Sequence, residues 1–163
     1  GARPIEADSQ HLWPDTLDIM GWTVDPTGFG IVLASTLPAF VQRHFGEAVE
    51  GFRRASGGAP VARHVCHPGG ARVLPALEEV MGLDAGALDI EREVLAEFGN
   101  MSAPTVWFVL ERVLARARER GEALGPLAMA ALGPGFTASF VGLGAEMAAP
   151  AAARVAAGEL QPA

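Results

Sequence analysis

The sequence predicts an α/β layered domain built on a mixed sheet, and three observations carry this. Short runs rich in Val, Ile and Trp alternate with stretches whose apolar residues recur at helical spacing. Their order reads strand, hairpin, helix, strand, three helices, then two closing strands. One of those helices, at Val106 to Leu110, is apolar on every side, which predicts burial all round and apolar material on more than one face. A chain of 163 residues suits one domain with a single sizeable core. We place that domain at residues 1–143 and an Ala-rich tail, a weak helix or disordered, at 144–163.

Taken in order, Pro4 to Trp13 alternates loosely and reads as a first strand. Ile19 to Val24 and Gly28 to Leu33 are joined by Asp25-Pro26-Thr27-Gly28, whose residues suit the tight connection of a β-hairpin. Ser35 and Thr36 are capping residues for a helix entering at Pro38. Its stripe is Val41, Phe45, Ala48 and Phe52, and it stops at Gly57-Gly58. Val61 to Cys66 is a short strand. Val73, Leu74, Leu77, Val80 and Met81 form the buried stripe of the next helix, which Gly82 ends. Ile90 to Phe98 is a further amphipathic helix with Gly99 as its stop. Ser102 then caps a helix whose second half carries Arg112, Arg116 and Arg118 into solvent. Leu127 to Leu132 and Phe136 to Val141 read as the closing pair of strands.

Composition narrows the function classes. A net charge of −7 argues against a nucleic-acid binder, which needs a concentrated basic face. One cysteine, Cys66, excludes an internal disulfide framework and fits a reducing compartment. No secretory signature and no apolar run near the ~20 residues that span a bilayer are present. The expectation is a cytoplasmic chain with no nucleic-acid or membrane partner. It starts Gly1-Ala2-Arg3-Pro4, without a methionine, as a processed chain or a fragment would.

Two stretches carry side chains suited to acid–base or oxyanion chemistry. In Val65-Cys66-His67-Pro68-Gly69-Gly70 an imidazole stands where a strand breaks into a helix. Pro68 biases His67 toward extended backbone, and Gly69 and Gly70 allow a close approach. In Gly99-Asn100-Met101-Ser102 a carboxamide stands between two helices. Donors at the ends of rigid elements can hold a developing oxyanion. Each residue also has a plain reading: a histidine closing a strand, and an asparagine capping a helix. Cys66 precedes His67, but neighbours on a strand point to opposite faces, so the two should not pair, and Cys66 reads as a small core residue. His64, Cys66 and His67 have no second ligand pair downstream, so no metal is expected. A third marker, Gly133-Pro134-Gly135-Phe136, lies as far beyond Asn100 as Asn100 lies beyond His67. By itself it is a turn between strands.

Together, in this order, His67-Pro68-Gly69-Gly70, Gly99-Asn100-Met101-Ser102-Ala103 and Gly133-Pro134-Gly135-Phe136 resemble the C-terminal half of type III polyketide synthases, the chalcone and stilbene synthase family. Met20-Gly21-Trp22, Gly28-Phe29-Gly30-Ile31-Val32-Leu33 and Leu37-Pro38 match as well, so the resemblance runs to about Gly142. It implies one half of a thiolase-like fold, in which two similar α/β halves stack in five layers with buried helices between the sheets, and it implies a homodimer. Family members load an acyl starter from CoA onto a cysteine, decarboxylate malonyl-CoA and condense. The resemblance gives His67 and Asn100 the catalytic roles and makes Gly133, Pro134, Gly135 and Phe136 part of the pocket wall. Ile31 falls where many plant members have a bulky aromatic. It implies no cofactor beyond the acyl-CoA and malonyl-CoA substrates. The nucleophilic cysteine is expected in an N-terminal half, the implied partner. Two other readings stay open: half of a ketoacyl synthase III-like enzyme, and a non-catalytic half that only pairs.

Overall fold

The structure is a computed structural model and describes residues 2–146. The expected tail lies, from residue 147 onward, outside the described residues. Ten elements follow the predicted order. They are β1 (Ile5–Leu12), β2 (Met20–Asp25), β3 (Gly28–Leu33), α1 (Leu37–Ala55), β4 (Arg63–Cys66), α2 (Val73–Val80), α3 (Asp89–Phe98), α4 (Thr105–Arg120), β5 (Leu127–Gly133) and β6 (Thr137–Leu143). Four strands form a mixed sheet in the order β1-β6-β5-β4. β4 runs parallel to β5, and β5–β6 and β6–β1 are antiparallel. β2 and β3 pair separately as the expected hairpin, with Asp25 Oδ1 accepting the Thr27 N–H at 2.7 Å across the turn.

Helices cover both faces of the mixed sheet, and strand alternation explains how. Cys66, Ala128, Ala130, Ala138 and Phe140 face α1 and α2, where Val41, Phe45, Phe52, Leu74 and Leu77 complete the core. The small alanines let α1 lie close, so Phe140 stacks on Phe52 with ring centroids 5.2 Å apart. Val65, Leu127 and Met129 face the other way, onto Val94 of α3 and Val106, Val109, Leu110 and Val113 of α4. Each such side chain, fully withdrawn from water, contributes about 1.5–3 kcal/mol.

Three expectations are corrected. The start of α4 is not buried all round: Val106, Val109 and Leu110 are buried, but Trp107 is 62% and Phe108 41% exposed. One side of that helix meets the sheet, and on the other Trp107 is exposed while Phe108 meets Phe98 at the end of α3. Ser102 does not cap α4 through its side chain. It sits at a positive φ of 64°, and its carbonyl accepts the Thr105 N–H and Oγ1–H instead. Thr36 precedes the first turn of α1 without a side-chain cap bond, and the Pro near the helix start supplies the preset backbone.

Candidate active site

His67 follows the last residue of β4, at the carboxyl end of a parallel strand, where open α/β sheets hold their ligands. Its N–H donates to Ala130 O at 2.8 Å, which extends the β4–β5 ladder by one bond, and its carbonyl accepts the Gly69 N–H at 3.0 Å. The imidazole is buried, at 8% exposure. A Cβ placed on Gly69 would lie 3.8 Å from Nε2, in ordinary contact with that edge of the ring. Nδ1 is buried and has no hydrogen-bond partner among the described residues. Burial holds the imidazole pKa below its ordinary value, because the charged form would leave water. Burial therefore favours the neutral ring, which carries one N–H to donate.

Asn100 reaches the same space from the far end of α3. Gly99 ends that helix with φ 72°, a left-handed conformation that glycine adopts without strain. The Asn100 carboxamide is then held at both ends: Oδ1 accepts the Ser102 N–H at 2.8 Å, and Nδ2 donates to Gly69 O at 3.1 Å. One of its two N–H groups is thereby engaged, and the second remains a donor.

His67 and Asn100 line one cavity of about 390 Å³, together with Gly69, Ser102 and an apolar wall from the hairpin and its neighbours: Met20, Trp22, Ile31, Leu33, Leu37, Val73, Leu132 and Pro134. A second cavity of about 370 Å³ adjoins it through His67, Ser102, Leu132 and Pro134, and Gln10, Thr137 and Ser139 make that one more polar. The imidazole stands between the two. The hairpin is tied to the downstream turn by the Gly135 N–H, which donates to Met20 O at 2.7 Å.

Of the expected pocket residues, Ile31 and Pro134 line the first cavity, and Gly133 and Pro134 the second. Gly135 and Phe136 line neither. Phe136 is fully buried behind the turn, 4.8 Å from the Phe40 ring and 5.3 Å from that of Trp13, because its side chain completes the core beneath β1 and α1. Ser102 and the hairpin residues Met20, Trp22 and Leu33 also line the first cavity, although their residue types alone do not mark them as walls. Hairpin pairing was the available signal, since Met20↔Leu33 and Trp22↔Ile31 set four apolar side chains on one face. Cys66 is fully buried, and burial, with the nearby Glu91 carboxylate, pushes its thiol well above the ordinary range. It is unreactive at neutral pH. No group of three or more potential metal ligands occurs among the described residues.

Residues 4–144 match the family model "chalcone and stilbene synthases, C-terminal domain". The chain belongs to that family. Among its relatives, the 1,3,6,8-tetrahydroxynaphthalene synthase of Streptomyces peucetius subsp. caesius is 38% identical over 139 residues, which is 84% of this chain and 36% of the relative. A putative chalcone synthase of Bacillus subtilis is 27% identical over 85% of this chain and 38% of its own length. Among solved structures, PKS-I of the brown alga Ectocarpus siliculosus superposes with a TM-score of 0.79 at 26% identity, over 89% of this chain and 40% of that one. CsyB complexed with CoA-SH gives 0.80 at 19% identity, over 88% and 41%, a likeness of fold. The chain thus spans about two fifths of the length of these relatives and solved structures. Its fold is the thiolase-like half of a type III polyketide synthase.

Proposed function

We propose that this domain supplies the two oxyanion donors for decarboxylative condensation of malonyl-CoA, acting with an N-terminal half that carries the acyl-bearing cysteine. The observation that supports this most is the convergence of the His67 imidazole and the Asn100 carboxamide on one cavity, where burial favours the neutral ring and the bond to Gly69 engages one of the two amide N–H groups. When the malonyl carboxylate leaves as carbon dioxide, the electron pair of the broken C–C bond moves to the α-carbon and onto the thioester oxygen. Two N–H donors there stabilise the enolate and add no new charge to a dry site. The enolate carbon then attacks the acyl thioester, forms the new C–C bond and releases the thiolate. The apolar wall of Trp22, Ile31, Leu33 and Leu132 keeps water from protonating the enolate and gives the growing chain its room. The reaction needs CoA thioesters and no further cofactor.

In this reading the exposed Trp107 and Phe108 face of α4 is covered by the N-terminal half, and the complete synthase is a cytoplasmic homodimer. No helix among the described residues is long and apolar enough to cross a membrane. The test is the complete synthase with His67→Ala or Asn100→Ala. Each variant should slow malonyl-CoA decarboxylation by ~10²-fold, about 3 kcal/mol, the ordinary cost of one oxyanion donor. Unchanged turnover in both would end the proposal. Turnover with malonyl carrier protein but not malonyl-CoA would assign the domain to ketoacyl synthase III-like chemistry.

A further inference from the structure

One buried charged group has no part in the reading above. Glu91, in the first turn of α3, is wholly buried. Its Oε1 accepts the Cys66 N–H at 3.1 Å, and its Oε2 accepts from Arg63 Nη2 at 2.7 Å. Arg63 also donates to Ala87 O. Stability alone does not account for this pair, because an apolar pair of similar volume commonly does as well or better.

Its position suggests another role. β4 lies at one edge of the mixed sheet, opposite β1. Successive N–H groups of a strand point to opposite edges. The His67 N–H turns inward to Ala130 O, so the Cys66 N–H turns outward, where no strand lies among the described residues. Glu91 receives it there. At the other end of the same helix, Asn100 donates to Gly69 O at 3.1 Å. Helix α3 therefore grips the segment Cys66–Gly69 at both ends, with His67 between the two bonds.

We propose that Glu91 is a positioning residue. Through the Cys66 N–H it fixes the strand end from which His67 projects, and through α3 it sets the spacing between His67 and Asn100. The proposal rests on the assignment of those two residues as the working pair. Arg63 holds the carboxylate in orientation, and the acceptor oxygen at Cys66 carries the effect. An uncharged acceptor in the same place should therefore serve, and an apolar side chain should not.

The test is made on this chain by NMR, without substrate. In the unaltered chain the Cys66 amide should exchange slowly with solvent, although it lies on the outer edge of the sheet. Arg63→Met with Glu91→Gln keeps an acceptor and removes both charges. Arg63→Met with Glu91→Leu removes the acceptor as well. The Gln pair should leave the His67 imidazole titration and the Asn100 side-chain amide shifts as they are. The Leu pair should speed Cys66 exchange by at least about tenfold, the loss of one ordinary hydrogen bond. It should also move both the His67 titration and the Asn100 shifts. Three results would overturn the proposal: fast Cys66 exchange in the unaltered chain, a Leu pair with unaltered His67 and Asn100 signals, or a Gln pair that disturbs them as much as Leu does. A purely structural role would lower the melting temperature of the Leu pair and leave those signals in place. If the Leu pair does not fold, exchange in the unaltered chain and the Gln pair decide the matter. A complete synthase that failed to condense malonyl-CoA would sink the proposed function but leave these measurements standing.

Discussion

The side-chain amide of Asn100 donates to the backbone carbonyl of Gly69 at 3.1 Å, across 31 residues of sequence. That bond joins the turn after α3 to the loop after β4 and brings the two donors to one cavity. Asn100→Asp would set a carboxylate against the Gly69 carbonyl, two acceptors face to face. We expect a loss of about 1 kcal/mol in stability, measured by urea unfolding. In the complete synthase, decarboxylation should fall as far as in Asn100→Ala, since both variants lack the donor.

Acid should act on this fold in two steps. Burial holds the folded-state pKa of His64 and His67 below the unfolded value of 6.5. The unfolded chain therefore binds more protons below that value, and stability falls as the pH drops from 6.5 through the depressed folded values. Glu78 behaves in the same sense at lower pH. The Arg92 guanidinium, bound to both its oxygens at 2.7 Å, lowers its pKa from 4.5 to about 2. The stability it contributes is complete above 4.5 and is lost as the pH falls toward 2. Urea midpoints taken against pH should show both declines, and Glu78→Gln should remove the lower one.

Gly21→Ala should weaken the hairpin that walls the cavity. A Cβ there would lie 2.3 Å from the Leu17 carbonyl oxygen, a backbone atom that cannot swing aside. The expected loss is about 1–3 kcal/mol, the usual cost of overpacking, read from the thermal midpoint. A midpoint unchanged from the unaltered chain would show that the Leu17 loop yields without cost.

Ile31 is one of four hairpin residues that line the cavity beside His67 and Asn100. Ile31→Trp should shrink the cavity of about 390 Å³ and shorten the products of the complete synthase, while leaving malonyl-CoA decarboxylation in place. Mass analysis of the products checks this. Unchanged product lengths would mean that another wall limits the chain.

Trp107 and Phe108 give α4 an apolar outer side, extended by Phe98 with its ring centroid 5.3 Å from that of Phe108. Exposed aromatic clusters of this kind drive association. The double variant Trp107→Glu/Phe108→Ser should reduce self-association of this chain in light scattering and its affinity for an added N-terminal half. Its own thermal midpoint should change little, because neither side chain belongs to the core.

The elements and their order were legible in the residue pattern, and the reason is local. Helical stripes such as Val41, Phe45, Ala48 and Phe52, the Asp25 to Gly28 turn, and Gly99 as a helix stop are short-range signals that residue types carry within a few positions. Which groups meet depends on long-range packing. Asn100 reaches His67 through a bond to Gly69, Phe136 turns into the core and away from the cavity, and Glu91 closes an outward amide of β4. Trp107 and Val109 read alike as apolar, yet one faces solvent and the other the sheet. Each of these depends on where a distant element packs, and nothing within a few residues of the position encodes that.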